Sequence, residues 1–254
     1  WPAFWKSEGF RNRVAFRRIY ELKEETTFTV FSNSVGHVLV EEEKGDKKYP
    51  FGREITAGPG KVRIYYIFYH RHSNRKQSSR QACAEQIRFE NGKFYQAELT
   101  SCGLNDGPLR GKGNYPAYIA CNLCGKKGTR FLSMVKHPKS GYPFFTQKGG
   151  DRESGEDQYI ANMCDGAVAG FKYFDLSQTG AVRINIKGKA EGTVLVRTSE
   201  KGETVAEIPV KPCREIHGFS AKLSGLGEKE ALFFSFQGKG AFDFFSFDLK
   251  EDRQ

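Results

Sequence analysis

"YYIFYHRHSNRKQSSRQACAEQIRFENGKFY", residues 65–95, sets an aromatic run directly against a string of histidines and arginines. The run 62–69 (VRIYYIFY) is dense in the β-branched and aromatic residues that fit a pleated surface, and it reads as a buried strand. Further on, Asn91-Gly92 separates two more such runs, 85–89 (EQIRF) and 93–100 (KFYQAELT). An Asn-Gly pair in that setting is a strong hairpin signal, because both residues tolerate the positive φ of a tight turn. Strand, turn, strand is the local rule. The polar residues after the aromatic run, His70, Arg71, His72, Arg75 and Arg80, either line a pocket fed by that strand or meet an acidic partner.

The same punctuation extends outward. Residues 26–31 (TTFTVF) and 117–123 (AYIACNL) read as strands. Residues 136–158 (KHPKSGYPFFTQKGGDRESGEDQ), rich in Lys, Gly, Pro and acids, read as a linker or long entry loop. Beyond them come AVRINIKG, GTVLVRTS, TVAEIPV, GFSAKLS, EALFFSFQG and AFDFFSFDLK. Runs 193–197 and 204–210 alternate apolar and polar residues as half-buried antiparallel strands do. A helix is expected only at 16–25. The chain is therefore read as all-β, with strand spacing that suits a sandwich or the blades of a propeller. Its 254 residues, 22 Phe, 11 Tyr and 28 Gly can build one large β domain or two modest ones.

Composition removes some function classes. No run of eighteen apolar residues exists, so no membrane-spanning helix is expected. The net charge is +10, but the 40 basic residues are spread along the chain among 30 acids. A nucleic-acid site needs them clustered on one face, so that reading fits the charge alone. Of the six cysteines only Cys121 and Cys124 form a C-x-x-C, and no second knuckle completes a zinc site. Buried free thiols are the simpler reading, and they leave the compartment open.

Four motifs in order, YIFYHRHSN, SRQACAEQI, ELTSCGLNDGPL and GNYPAYIACNL, lie within 66–123. They resemble the closing part of the catalytic domain in glycoside hydrolase family 43, a five-bladed propeller family of α-L-arabinofuranosidases and β-xylosidases. YIANMCDGAVAGFKYFDL, EGTVLVRTSEKGETVAEIPV and GKGAFDFFSFDLK resemble a family 6 carbohydrate-binding module, a β-sandwich. The resemblance implies a partial propeller over residues 1–135 (its last blades) and a sandwich over 143–254. It also implies inverting hydrolysis of arabinose- or xylose-containing plant polysaccharide (arabinoxylan, arabinan or xylan). No nucleic acid and no membrane take part in this reading, no cofactor is required beyond a structural calcium at most, and the expected location is secreted or cell-envelope. A non-catalytic carbohydrate-binding protein left from a truncated glycosidase is the alternative.

The resemblance also nominates residues. KSEGFRNRV places Glu8 as the general acid, and SVGHVLV puts His37 where the family has a histidine. Arg80, in SRQACAEQI, corresponds to a pocket-facing arginine, and a guanidinium suits that role with five fixed donors. His70 and His72, two apart on a strand, share a face and can serve as sugar contacts, metal ligands or structural groups. Inverting hydrolysis needs a second carboxyl group to activate water. The family's base belongs to blades expected upstream of Trp1, and ITAGPGKVRI lacks the family's central histidine, so little hydrolysis is expected from this chain alone. In the sandwich, Tyr159, Phe171 and Tyr173 are the candidate stacking platforms. Asp243 stands where the module family usually has an asparagine. Ala167, Val168 and Ala169 occupy positions where a large aromatic is often found.

Overall fold

The computed structural model describes residues 66–74, 81–87, 94–105, 107–126, 141–148, 158–223 and 225–252 with their side chains, and the backbone of further strands between 19 and 93. Among the described residues every regular element is a strand apart from one short 3-10 turn. No helix among the described residues is long and apolar enough to cross a membrane. Two compact units emerge, one of residues 1–71 and 82–107, the other of 72–81 and 108–254.

The first unit is built from short strands. β1 (Ile19–Leu22) pairs antiparallel with β6 (Gly60–Arg63), β6 with β3 (Val38–Glu41), and β3 with β4 (Lys47–Tyr49). β2 (Thr26–Thr29) pairs antiparallel with β5 (Glu54–Ala57). The helix expected at 16–25 is thus replaced at its centre by a strand, because IYEL finds a ladder partner in residues 60–63. β7 (Tyr66–His72) pairs with β8 (Arg80–Gln86), and β9 (Phe89–Glu90) with β10 (Lys93–Phe94). The last pair brackets Asn91-Gly92 with Glu90 opposite Lys93, as the hairpin signal requires. The strand expected over 93–100 stops at Phe94.

The second unit is a sandwich of two six-stranded sheets. One runs β11 (Leu109–Arg110), β16 (Val168–Asp175), β21 (Glu230–Lys239), β18 (Glu191–Arg197), β19 (Thr204–Val210), with β13 (Asn122–Cys124) also on β16. The other runs β14 (Phe144–Gln147), β15 (Gln158–Cys164), β22 (Ala241–Glu251), β17 (Thr179–Gly188), β20 (Cys213–Lys222), with β12 (Gly113–Pro116) also on β22. Pairing is antiparallel except for β11 beside β16. The alternation read at 193–197 and 204–210 falls on β18 and β19, where Val194, Val196, Ala206, Ile208 and Val210 turn inward.

Strand pairing moves the boundary that the resemblance implied. Residues 109–124 pair with β16 and β22, so the sandwich begins near residue 108 rather than 143, and the first region ends well before 135. The ladder partners lie more than forty positions away, which no local composition shift can reveal. Within the stretch read as a linker, residues 144–147 form an edge strand against β15. The run 117–123 splits into a 3-10 turn (Ala117–Ile119) and β13, since Pro116 has no N–H to extend a ladder.

A cluster of Phe rings fills the space between the sheets. Phe171 and Phe174 from β16, Phe234 and Phe236 from β21, and Phe242, Phe244 and Phe247 from β22 are all buried, closed in by Val182, Ile184 and Ile186 of β17. The rings meet mostly edge to face, the arrangement that sets a ring's positive edge against a neighbour's negative face. Ala167 and Ala169 are fully buried in the same core, so these small residues are packing positions.

Candidate functional site

At one end of the sandwich a cleft of about 640 Å³ opens between β14, β15, β17 and β22, lined by Phe144, Asn162, Lys187, Gly188, Lys189 and Asp243, among others. Its shape starts with a break in register. β15 and β22 lose a position between Ile160 and Met163, and Asn162 there adopts a left-handed φ of 62°. Asparagine tolerates that conformation because its short amide can bond locally. Here Asn162 Nδ2 donates to the Tyr142 carbonyl at 3.0 Å. The bulge turns the Asn162 N–H toward Asp243, whose Oδ1 accepts it at 3.2 Å. On the opposite wall Gly188 lets two backbones close up, since a Cβ there would sit 2.5 Å from the Ala241 carbonyl oxygen.

Asp243 and Lys187 are direct partners across the β17–β22 ladder and so share a face. Burial pushes the Asp243 carboxyl up from the ordinary aspartate range, against the Asn162 N–H and the Lys187 charge, which both favour its ionised form. Lys187 Nζ also lies 3.7 Å from Glu215 Oε2. The cleft therefore offers an acceptor, a donor and an apolar ring from Phe144, the mixture that grips a sugar's hydroxyls and covers its C–H face. Hydrolysis needs two carboxyl groups about 6.5–9.5 Å apart. Among the described residues that line the cleft, Asp243 is the one carboxylate.

The candidate platforms meet different fates. Phe171 is fully buried among Phe234, Phe244 and Phe247, so it cannot stack on a ligand; its place on β16 turns it inward, and its assignment is corrected to core. Tyr173 is half-buried, and the Lys229 ammonium covers its ring at 4.7 Å. Tyr159 stacks on Phe245 at 4.7 Å, with Lys148 beyond, and is not among the cleft residues. Of the sandwich candidates, Asp243 alone lies in the cleft. Asn162, Lys187 and Phe144 were missed. An Asn inside the apolar run YIANMC was the available sign of the bulge.

His70 is exposed on β7, and the backbone of Arg80 opens β8; the Arg80 side chain, Glu8 and His37 lie outside the described residues. A carboxylate not singled out in the sequence dominates what is described. Glu85 is 3 % exposed. Its Oε1 accepts from the Thr100 N–H at 2.8 Å and from the Tyr69 hydroxyl at 3.2 Å, and its Oε2 accepts from Thr100 Oγ1 at 2.8 Å. Burial raises the Glu85 carboxyl to about 7, and burial likewise raises Tyr69 and Cys83. All three of those hydrogen bonds are short-range ties between β7, β8 and the segment after β10, so Glu85 acts as a clip.

No family model matches the chain. A xylosidase/arabinosidase of Thermoclostridium stercorarium is 44 % identical over 192 residues, which is 74 % of this chain and 40 % of that protein. This chain thus spans well under half of its relative's length. Among solved structures, a family 6 carbohydrate-binding module of Clostridium cellulolyticum in complex with xylose aligns over 56 % of this chain and all of its own, at 14 % identity and a TM-score of 0.44. A glycoside hydrolase family 43 arabinoxylan arabinofuranohydrolase of Bacillus subtilis aligns over 98 % of this chain and 53 % of its own, at 13 % identity and a TM-score of 0.48. The chain is similar to a xylosidase/arabinosidase, the enzyme type that the motif resemblance implies.

Proposed function

We propose that this chain serves glycoside hydrolysis on arabinose- or xylose-containing plant polysaccharide, with its sandwich holding the polymer in the Asp243 cleft. The observation that carries the holding role is the convergence of Asp243, Asn162, Lys187 and Phe144 on one open cleft. Identity to a named xylosidase/arabinosidase supports the hydrolytic part. In this reading Glu8, Arg80 and His70 belong to the hydrolytic part, and Glu8→Gln should abolish whatever turnover the full protein shows on an aryl arabinofuranoside or xyloside. A secreted or cell-envelope location follows from the size of the substrate. A carbohydrate-binding role without catalysis is the second reading, favoured by the single carboxylate in the cleft.

Retention by neutral arabinoxylan in affinity electrophoresis tests the holding role. Asp243→Ala should weaken it by about 1–3 kcal/mol, the scale of losing a buried hydrogen-bond partner. The loss should be similar in low and moderate salt, because a neutral sugar releases no condensed counterions. Binding through phosphates would instead fall steeply, with a log–log slope near −0.9 per phosphate neutralised. Tight, salt-sensitive binding to DNA with no retention by any xylan or arabinan would overturn the proposal.

A further inference from the structure

The charges around the cleft are more than a neutral pentose polymer needs. Lys187 and Lys189 stand in one wall and Asp243 faces Lys187 across the ladder, so the lining carries two cations against one anion. Lys187 is also held loosely by Glu215, at 3.7 Å with the two side chains 44 % and 90 % exposed. An exposed pair at that separation contributes little, and Glu215 can leave Lys187 for solvent at almost no cost. A carboxylate delivered on a sugar branch could take its place, with part of the ligand already fixed in the cleft. The repulsion from Asp243 works against this, but that carboxylate is already engaged by the Asn162 N–H and faces the Lys187 cation. The net charge of +10 adds long-range attraction for an acidic ligand.

We propose that this cleft, read above as the sugar-holding site, prefers glycans that carry a hexuronic acid branch, whose carboxylate replaces Glu215 on Lys187. The proposal rests on that sugar-holding reading and adds the ligand's charge to it. Nothing covalent is involved. Two features separate it from general polyanion binding: the ligand must present both a sugar backbone for the Phe144 and Asp243 wall and a single carboxylate for Lys187. A short oligosaccharide with one acid branch is therefore the right probe, since a long polyanion would respond to the overall charge.

The test is calorimetric titration of the full chain with three ligands: a neutral xylo-oligosaccharide, the same backbone with one glucuronic acid branch, and that compound with its carboxyl reduced to the alcohol. The acid branch should bind roughly five- to tenfold more tightly than the neutral backbone in low salt, the scale of one charge-assisted contact. The reduced compound should show no such gain, and moderate salt should shrink it. Lys187→Gln should remove the gain, Lys187→Arg should keep it, and Lys222→Gln, on an exposed strand end away from the cleft lining, should leave it intact. Equal affinity for all three ligands would overturn the uronate preference while leaving the sugar-holding reading standing. A gain that survives in Lys187→Gln, or that vanishes equally in Lys222→Gln, would overturn it as well. Failure to bind any of the three would sink the sugar-holding reading and this inference with it.

Discussion

Replacing Phe171 by Ala should destabilise the sandwich by about 3–5 kcal/mol, the usual cost of emptying a large aromatic site in a packed core. The ring is fully buried and lies 4.8 Å from Phe247, 5.6 Å from Phe234 and 6.1 Å from Phe244, centroid to centroid. These partners come from β21 and β22, one in each sheet, so the deletion opens a hole at the layer between them. Neighbouring rings cannot tip into it without giving up their own edge-to-face contacts. Urea unfolding checks this, with a midpoint lowered by about 1 M or more if the slope is of the usual size. Tyr173→Ala, at a half-buried ring covered by Lys229, should cost far less. If Phe171→Ala unfolded like the parent chain yet lost retention by arabinoxylan, Phe171 would be a ligand platform after all.

That contrast shows what could be read along the chain and what could not. Period-two alternation placed β18 and β19 because each residue's face is decided locally. The Asn91-Gly92 hairpin was legible for the same reason. Phe171 was misplaced because an aromatic in a strand looks alike whether it faces the core or a ligand, and the face is set by β21 and β22, more than sixty positions later. The boundary near residue 108 was hidden likewise, since β12 finds its ladder at residues 246–249. The cleft depends on a bulge at Asn162 and on the register of β17 with β22; of these only the Asn inside an apolar run left a trace in the sequence. Asp243 was singled out through motif resemblance, and its neighbours Lys187 and Phe144 carried no motif of their own.

The N-terminal unit should lose stability as the pH rises through about 7, because Glu85 holds its proton to that value in the folded chain. Burial is the first cause; the Thr100 N–H, the Thr100 hydroxyl and the Tyr69 hydroxyl all favour the charged form and only partly offset it, while Glu98 works with burial. Arg71, the nearby cation, acts on Tyr69 and Cys83 and lowers both. An unfolded glutamate titrates near 4.3. Below that value both states are protonated and the contribution is complete. Between about 4.3 and 7 the unfolded chain ionises first, so the folded state binds the extra proton and stability declines with each step of pH. Above about 7 the full difference is gone, on the order of 3 kcal/mol from a shift of this size. The place to look is the Thr100 amide, which the Glu85 carboxyl holds at 2.8 Å. After correction for intrinsic rates, its hydrogen-exchange protection should drop markedly from about pH 5 to about pH 8. Glu85→Gln keeps an oxygen for that amide but cannot ionise, so its protection should be nearly level across the same range. Equal slopes in the parent chain and in Glu85→Gln would mean that another group sets the pH response and that the burial of Glu85 does not.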